Sequence, residues 1–207
     1  MEYEKYIVPI LASNESELSR NNYWGTGFIV GEYLITAGHV VNDFKYIGYI
    51  FEDIIHPLPT PCVNELGCRE NGRYKLIDMN TLIKEDLAIF KIGDCGSPLQ
   101  FGFKDEDMVC MYHGYSFVDN SNSIKVDHID AIPLRTLSKD RKKVINCKFL
   151  NNIDLDNGNS GGPLFDGDKI VGMLVSGEET MDGIKVGCVC LSAWYIMNKI
   201  CSIKHTK

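Results

Sequence analysis

Short runs of Val, Ile, Leu, Tyr and Phe alternate with clusters of Gly, Pro, Asn and Asp along most of this chain. The runs at 27–30, 33–36, 46–51, 74–77, 87–91, 108–112, 124–131, 169–176 and 184–191 predict β-strands, because β-branched and aromatic side chains suit a half-buried pleated surface and the intervening residues suit turns. Helical periodicity comes at the end: Ser192 can cap a helix in which Ala193, Ile196, Met197 and Ile200 share a face up to Cys201. Residues 52–73 hold Pro57, Pro59 and Pro61 with Cys62 and Cys68, and predict a long surface loop. Residues 119–123 predict a hairpin turn. The stretch Gly93-Asp94-Cys95-Gly96-Ser97-Pro98 predicts a crossing between two halves, 1–95 and 96–207. Many short strands of this kind imply an all-β barrel or sandwich.

Bulk properties narrow the function classes. The 207 residues are 44% hydrophobic, enough for one ordinary domain or two small subdomains with a packed core. A net charge of −7 argues against a nucleic-acid partner or an anionic membrane surface. The local basic run Lys139-Asp140-Arg141-Lys142-Lys143 reads as a solvated loop. No apolar run approaches the roughly 20 residues that span a bilayer. The start is acidic, with a short apolar patch at 6–12, so no signal peptide is expected.

The chemistry concentrates in Gly158-Asn159-Ser160-Gly161-Gly162-Pro163. The glycines permit a sharp turn, and the absence of a side chain at Gly158 lets a carbonyl approach the amides of Gly158 and Ser160, an oxyanion hole. Ser160 is the candidate nucleophile. A serine hydroxyl needs a base and a group that orients the base. His39, in Leu34-Ile35-Thr36-Ala37-Gly38-His39-Val40-Val41, and Asp86, in Glu85-Asp86-Leu87-Ala88-Ile89-Phe90, supply both. An imidazole can take and return a proton near neutral pH. Asp78 and Asp94 lie in the same half as alternatives to Asp86, whereas His56, His113, His128 and His205 lack any comparable context.

GTGFIV, LITAGHV, DLAIF and GNSGGP, in the order His, Asp, Ser, resemble the trypsin-like (chymotrypsin-fold) serine proteases. The nearest flavour is the HtrA/Deg and bacterial glutamyl-endopeptidase branch. The motifs span residues 25 to 163. The resemblance implies two six-stranded antiparallel Greek-key β-barrels, an active site in the cleft between them, and a C-terminal helix on the second. The N-terminal barrel, 1–95, carries His39 and Asp86; the second, 96–207, carries Ser160. It further implies a serine endopeptidase that acts through an acyl-enzyme on Ser160, with His39 as general base and acid and Asp86 orienting it. The edge of Gly172-Met173-Leu174-Val175-Ser176-Gly177 would bind an extended peptide through backbone groups at Val175 and Gly177. Leu174 stands where glutamate- and glutamine-selective relatives carry a histidine, which lowers the case for that preference. Asp154 falls where trypsins place the carboxylate of the primary pocket, with Asp156 as an alternative and a preference for Arg or Lys as the consequence.

Three departures from the digestive enzymes matter. Asn159 stands in place of the aspartate that pairs with a newly released N-terminal amine, so control must come from a regulatory partner, a loop rearrangement or the substrate. Val40 and Asp156 occupy positions where secreted members carry disulfide cysteines. With no export signal, the eight cysteines are read as reduced thiols and the protein as cytoplasmic. The spacings Cys62-x5-Cys68 and Cys188-Val189-Cys190 do not suit the usual zinc pairs, so neither metal nor cofactor is expected. The partners expected are a protein or peptide substrate and a regulator, with neither nucleic acid nor membrane. The competing readings are a catalytically silent peptide-binding or scaffold module of the same fold and a viral polyprotein-processing protease of the same chemistry.

Overall fold

The computed structural model describes residues 3–15, 17–65, 69–70, 73–74, 86–102, 109–118, 123–134, 144–150, 158–179 and 185–205. In the first half the strands are β1 Ile7–Ser13, β2 Tyr23–Val30, β3 Tyr33–Thr36, β4 Tyr46–Phe51, β5 Ile54–Pro57, β6 Val63–Glu65, the small pair β7 Arg69–Glu70 and β8 Arg73–Tyr74, and β9 Leu87–Lys91. A single helical turn, α1 Gly38–Val41, follows β3. Seven of these strands form one curled antiparallel sheet in the order β5-β4-β1-β2-β3-β9-β6.

The second half holds β10 Gln100–Phe101, β11 Cys110–Val118, β12 Ser123–Leu134, β13 Val144–Phe149, β14 Pro163–Asp166, β15 Lys169–Glu179 and β16 Lys185–Ser192, followed by α2 Ala193–His205. Strands β11 to β16 close into a ring through the β15–β16 pairing, and β10 adds in parallel to β15. This is the expected two-barrel, mostly β architecture. The β11–β12 register reaches Val118↔Ser123 and so joins the two strands as a hairpin, whose expected turn residues 119–122 lie outside the described residues. The expected strand at 74–77 lies outside them beyond Tyr74.

Three elements differ from the sequence expectation. Strand β1 is buried at every position, flanked by β2 and β4. Its unbroken apolar run carries no alternation to mark it as a strand. The stretch read as a loop from 52 contains β5, reached through a two-residue turn in which Glu52 and Asp53 both have positive φ, 49° and 64°. That is the left-handed pair a tight hairpin demands, supplied here without the glycine that would announce it. Helix α2 starts as expected, with the Tyr195 amide donating to Ser192 Oγ at 3.2 Å, but continues past Cys201 to His205.

The main core is continuous between the halves. Ile10, Phe28, Leu34, Ile89 and Phe90 of the first sheet share one cluster with Phe165, Met173 and Leu191 of the second and with Ile196 and Ile200 of α2. A smaller cluster inside the second barrel contains Tyr112, Leu164, Val171 and Leu174 with Cys110, Cys147, Cys188 and Cys190.

Candidate catalytic site

The register Thr36↔Ala88 between β3 and β9 brings two short segments together: α1, just after β3, and the residue that precedes β9. His39 sits on the first and Asp86 on the second. The carboxylate of Asp86 is wholly buried and accepts from His39 twice, with its Oδ1 at 2.7 Å from the backbone amide and its Oδ2 at 2.5 Å from ring Nδ1. A buried carboxylate is tolerated only when donors converge on it. Here those donors fix both the ring and the backbone that carries it. The His39 side chain is 12% exposed, so one edge of it reaches solvent. Asp94, the described alternative, is exposed and accepts from Gly96 N within its own turn at 2.9 Å; Asp78 lies outside the described residues.

Ser160 is held from both halves. Its carbonyl accepts from Thr26 N of β2 at 2.9 Å, while the next amide, Gly161 N, donates to Leu174 O of β15 at 2.8 Å and Leu174 N donates to Gly162 O at 2.8 Å. The Ser160 hydroxyl donates to Val175 O at 3.3 Å. The turn requires its glycines: Gly158 and Gly161 have φ of +107° and +91°, and a Cβ on Gly161 would lie 2.1 Å from Thr26 O.

The residues that shape this loop are ones the motif reading left without a role. Thr26 is fully buried; its hydroxyl donates to Gly158 O at 2.8 Å and accepts from Tyr115 N at 3.0 Å. The Tyr23 hydroxyl lies 2.8 Å from both Gly158 O and Tyr115 O and shares its hydrogen between them. Tyr112 donates to Asn159 O at 2.7 Å. Asn159 itself is buried, and its amide donates to Tyr115 O at 3.0 Å. A neutral side chain thus anchors the loop by a hydrogen bond where a carboxylate would need a counter-charge. Thr26 lies inside GTGFIV, which was the available signal; the tyrosines gave none, because aromatic residues are ordinary in strands.

These bonds give an expectation that separates positioning from packing. Thr26→Val, which keeps the shape and deletes both hydroxyl bonds, should lower kcat by about tenfold to a hundredfold with little change in KM, and cost about 1–3 kcal/mol of stability. Tyr23→Phe should do the same more weakly. Steady-state kinetics beside thermal unfolding checks both, and unchanged kcat in a destabilised Thr26→Val protein would reduce the network to scaffolding.

Of the expected substrate-binding residues, Val175 and Gly177 lie on β15 beyond Met173, where its pairing with β14 ends. Among the described residues this stretch is paired on one side only, by β16. Gly177 is exposed. Leu174 is 2% exposed, packs in the smaller cluster, and bonds through both backbone groups to the loop at Gly161 and Gly162. Asp154 and its alternative Asp156 lie outside the described residues.

The cysteines at 62, 95, 110, 147, 188, 190 and 201 form no disulfide. Hydrogen bonds with Cys147 and Cys188, together with burial, hold the Cys190 thiol well above the usual range, which makes it inert as a nucleophile. Among the described residues no helix is long and apolar enough to cross a membrane.

Solved structures decide the architecture. The active form of the Rv3671c protease from M. tuberculosis matches with a TM-score of 0.60 and 19% identity, over 100% of this chain and 84% of that one. The fold is that of the chymotrypsin-like serine proteases. Neuropsin, a serine protease expressed in the limbic system of mouse brain, gives a TM-score of 0.64 at 12% identity, covering 97% of this chain and 95% of its own. The chymotrypsin fold also includes the inactivated protease paralogue S-I1 of the scabies mite, with a TM-score of 0.62 at 16% identity over 99% and 96% of the two chains. No protein-family model matches the sequence, nor does any curated protein. Since an inactivated paralogue shares the chymotrypsin fold, activity has to be argued from the site.

Proposed function

We propose that the chain is a serine endopeptidase that cleaves protein substrates through an acyl-enzyme on Ser160. The observation that carries this reading is the buried Asp86 carboxylate bound to both the ring and the backbone N–H of His39, because a ring so oriented keeps its proton on Nδ1 and presents Nε2 as the base. His39 takes the Ser160 proton as the hydroxyl attacks the scissile carbonyl, then gives it to the leaving amine; water repeats the cycle to release the acyl group. The amides of Gly158 and Ser160 stabilise the oxyanion. The peptide lies along the open edge of β15 at Val175 and Gly177. Val175 O, which accepts from the Ser160 hydroxyl at 3.3 Å, also faces a substrate N–H in this arrangement, so binding competes for that acceptor and frees the hydroxyl for His39.

The motifs GTGFIV and GNSGG favour the HtrA/Deg and glutamyl-endopeptidase branch. Unlinked thiols in the described cysteines suit a reducing, cytoplasmic setting. A protein or peptide substrate is the necessary partner, and an inhibitory regulator fits a site that needs no cleavage to form. Primary specificity is assigned to Asp154, whose carboxylate would select Arg or Lys if it were desolvated. An unbiased cleavage profile is expected to be dominated by basic residues before the cut and to lose that preference in Asp154→Ser. Small or aliphatic residues unaffected by that change would leave Asp154 an ordinary aspartate.

The second reading, a catalytically silent peptide-binding module, is favoured by one observation: the Ser160 hydroxyl is turned to Val175 O. A fluorophosphonate probe decides between them. Labelling of wild type but not of Ser160→Ala supports the protease; a wild type that stays unlabelled, with peptide still bound, supports the module.

A further inference from the structure

Cys147, Cys188 and Cys190 are far apart along the chain but meet inside the second barrel. Cys147 of β13 is the register partner of Cys188 of β16, and Cys190, two residues on, projects from the same face of β16 as Cys188. The three sulfurs lie within 4.8 Å of one another, with Cys188 and Cys190 3.9 Å apart. All three residues are at most 1% exposed. They share their cluster with Tyr112, Leu164, Val171 and Leu174 and take no part in the chemistry proposed above. The odd spacing of Cys188 and Cys190 hid this arrangement, because two strands build it.

The spacing fits coordination. With metal–sulfur bonds of about 2.3 Å, a trigonal site sets its sulfurs about 4.0 Å apart and a tetrahedral one about 3.8 Å, which brackets the Cys188–Cys190 separation of 3.9 Å. A cluster of sulfur donors alone selects soft ions. Structural zinc takes four ligands, yet the trio is sealed from water, and Cys110, in the same apolar cluster, falls outside the group of sulfurs in mutual reach. We propose that Cys147, Cys188 and Cys190 form a buried three-sulfur site for a soft monovalent cation, with copper(I) as its natural occupant. Thiol protons displaced on binding pass to solvent.

Anaerobic titration of the reduced protein with copper(I), supplied from a coloured chelator complex, tests this. Wild type is compared with a variant in which the cysteines outside the barrel cluster, Cys62, Cys68, Cys95 and Cys201, are serine. Both should remove copper from the chelator, the variant at one equivalent per chain, with a Tm that rises by about 5 °C or more at a thousandfold excess over Kd. Silver(I), a redox-inert stand-in, should bind at the same stoichiometry. In the four-serine background, Cys147→Ala and Cys190→Ala should each weaken binding at least about a hundredfold; circular dichroism identifies which is folded, and either one suffices. The proposal fails if reduced wild type takes up no copper, if the four-serine variant retains the wild-type dichroism but binds none, or if a folded alanine variant binds as tightly as its parent.

Discussion

Ser160→Ala is expected to lower kcat on the order of a millionfold, His39→Ala to do about the same, and the double replacement to be hardly worse than either. The non-additivity is the informative part. A nucleophile without its base and a base without its nucleophile are equally unable to pass the proton, so the second loss has little left to remove. Turnover of a protein substrate by the three variants, with circular dichroism to confirm folding, checks this. Full activity in Ser160→Ala would end the mechanism, and additive losses would mean that the residues act separately.

Asp86→Asn should keep the fold while lowering kcat by about 10⁴-fold. Asp86 accepts from two N–H groups of His39, and an amide can accept only through its oxygen. If that oxygen stays on the backbone N–H, the NH₂ group faces ring Nδ1 and forces the proton onto Nε2, the atom that should act as base. The ring then sits in place with the wrong tautomer. Pre-steady-state kinetics should assign the loss to acylation, with KM changing little. A wild-type rate would move the orienting role to another acid, and an unfolded variant would show that the carboxylate is structural first.

The candidate trio was legible in the sequence because each member lies in a local motif: His39 just after a strand that ends at Thr36, Asp86 before the buried run Leu87 to Phe90, and Ser160 among glycines. What brings them together is non-local. Thr26 reaches Gly158 across 132 residues and Tyr23 reaches the same carbonyl across 135, and nothing in the local pattern marks a strand tyrosine as a hydrogen-bond anchor. Leu174 packs in the smaller cluster of the second barrel beside a bulge in β15 between Leu174 and Ser176, a placement that no local pattern announces. Strand β1 was hidden by burial on both faces. Period-two alternation appears only where one face meets water.

Three successive carbonyls in the Ser160 loop, those of Gly158, Asn159 and Ser160, already accept hydrogen bonds from Thr26, Tyr23 and Tyr112. Turning any of these peptides over would strand a buried acceptor at about 1–3 kcal/mol each, so a collapsed, dormant loop has no comfortable resting place. If the proposed chemistry holds, a protease with this loop would have no silent adolescence: its loop would be set as soon as the two halves had folded around each other. The safety that other enzymes obtain from delayed maturation must then come from how narrowly the cleft chooses its victims, how few copies are kept, and how quickly an inhibitor can plug them.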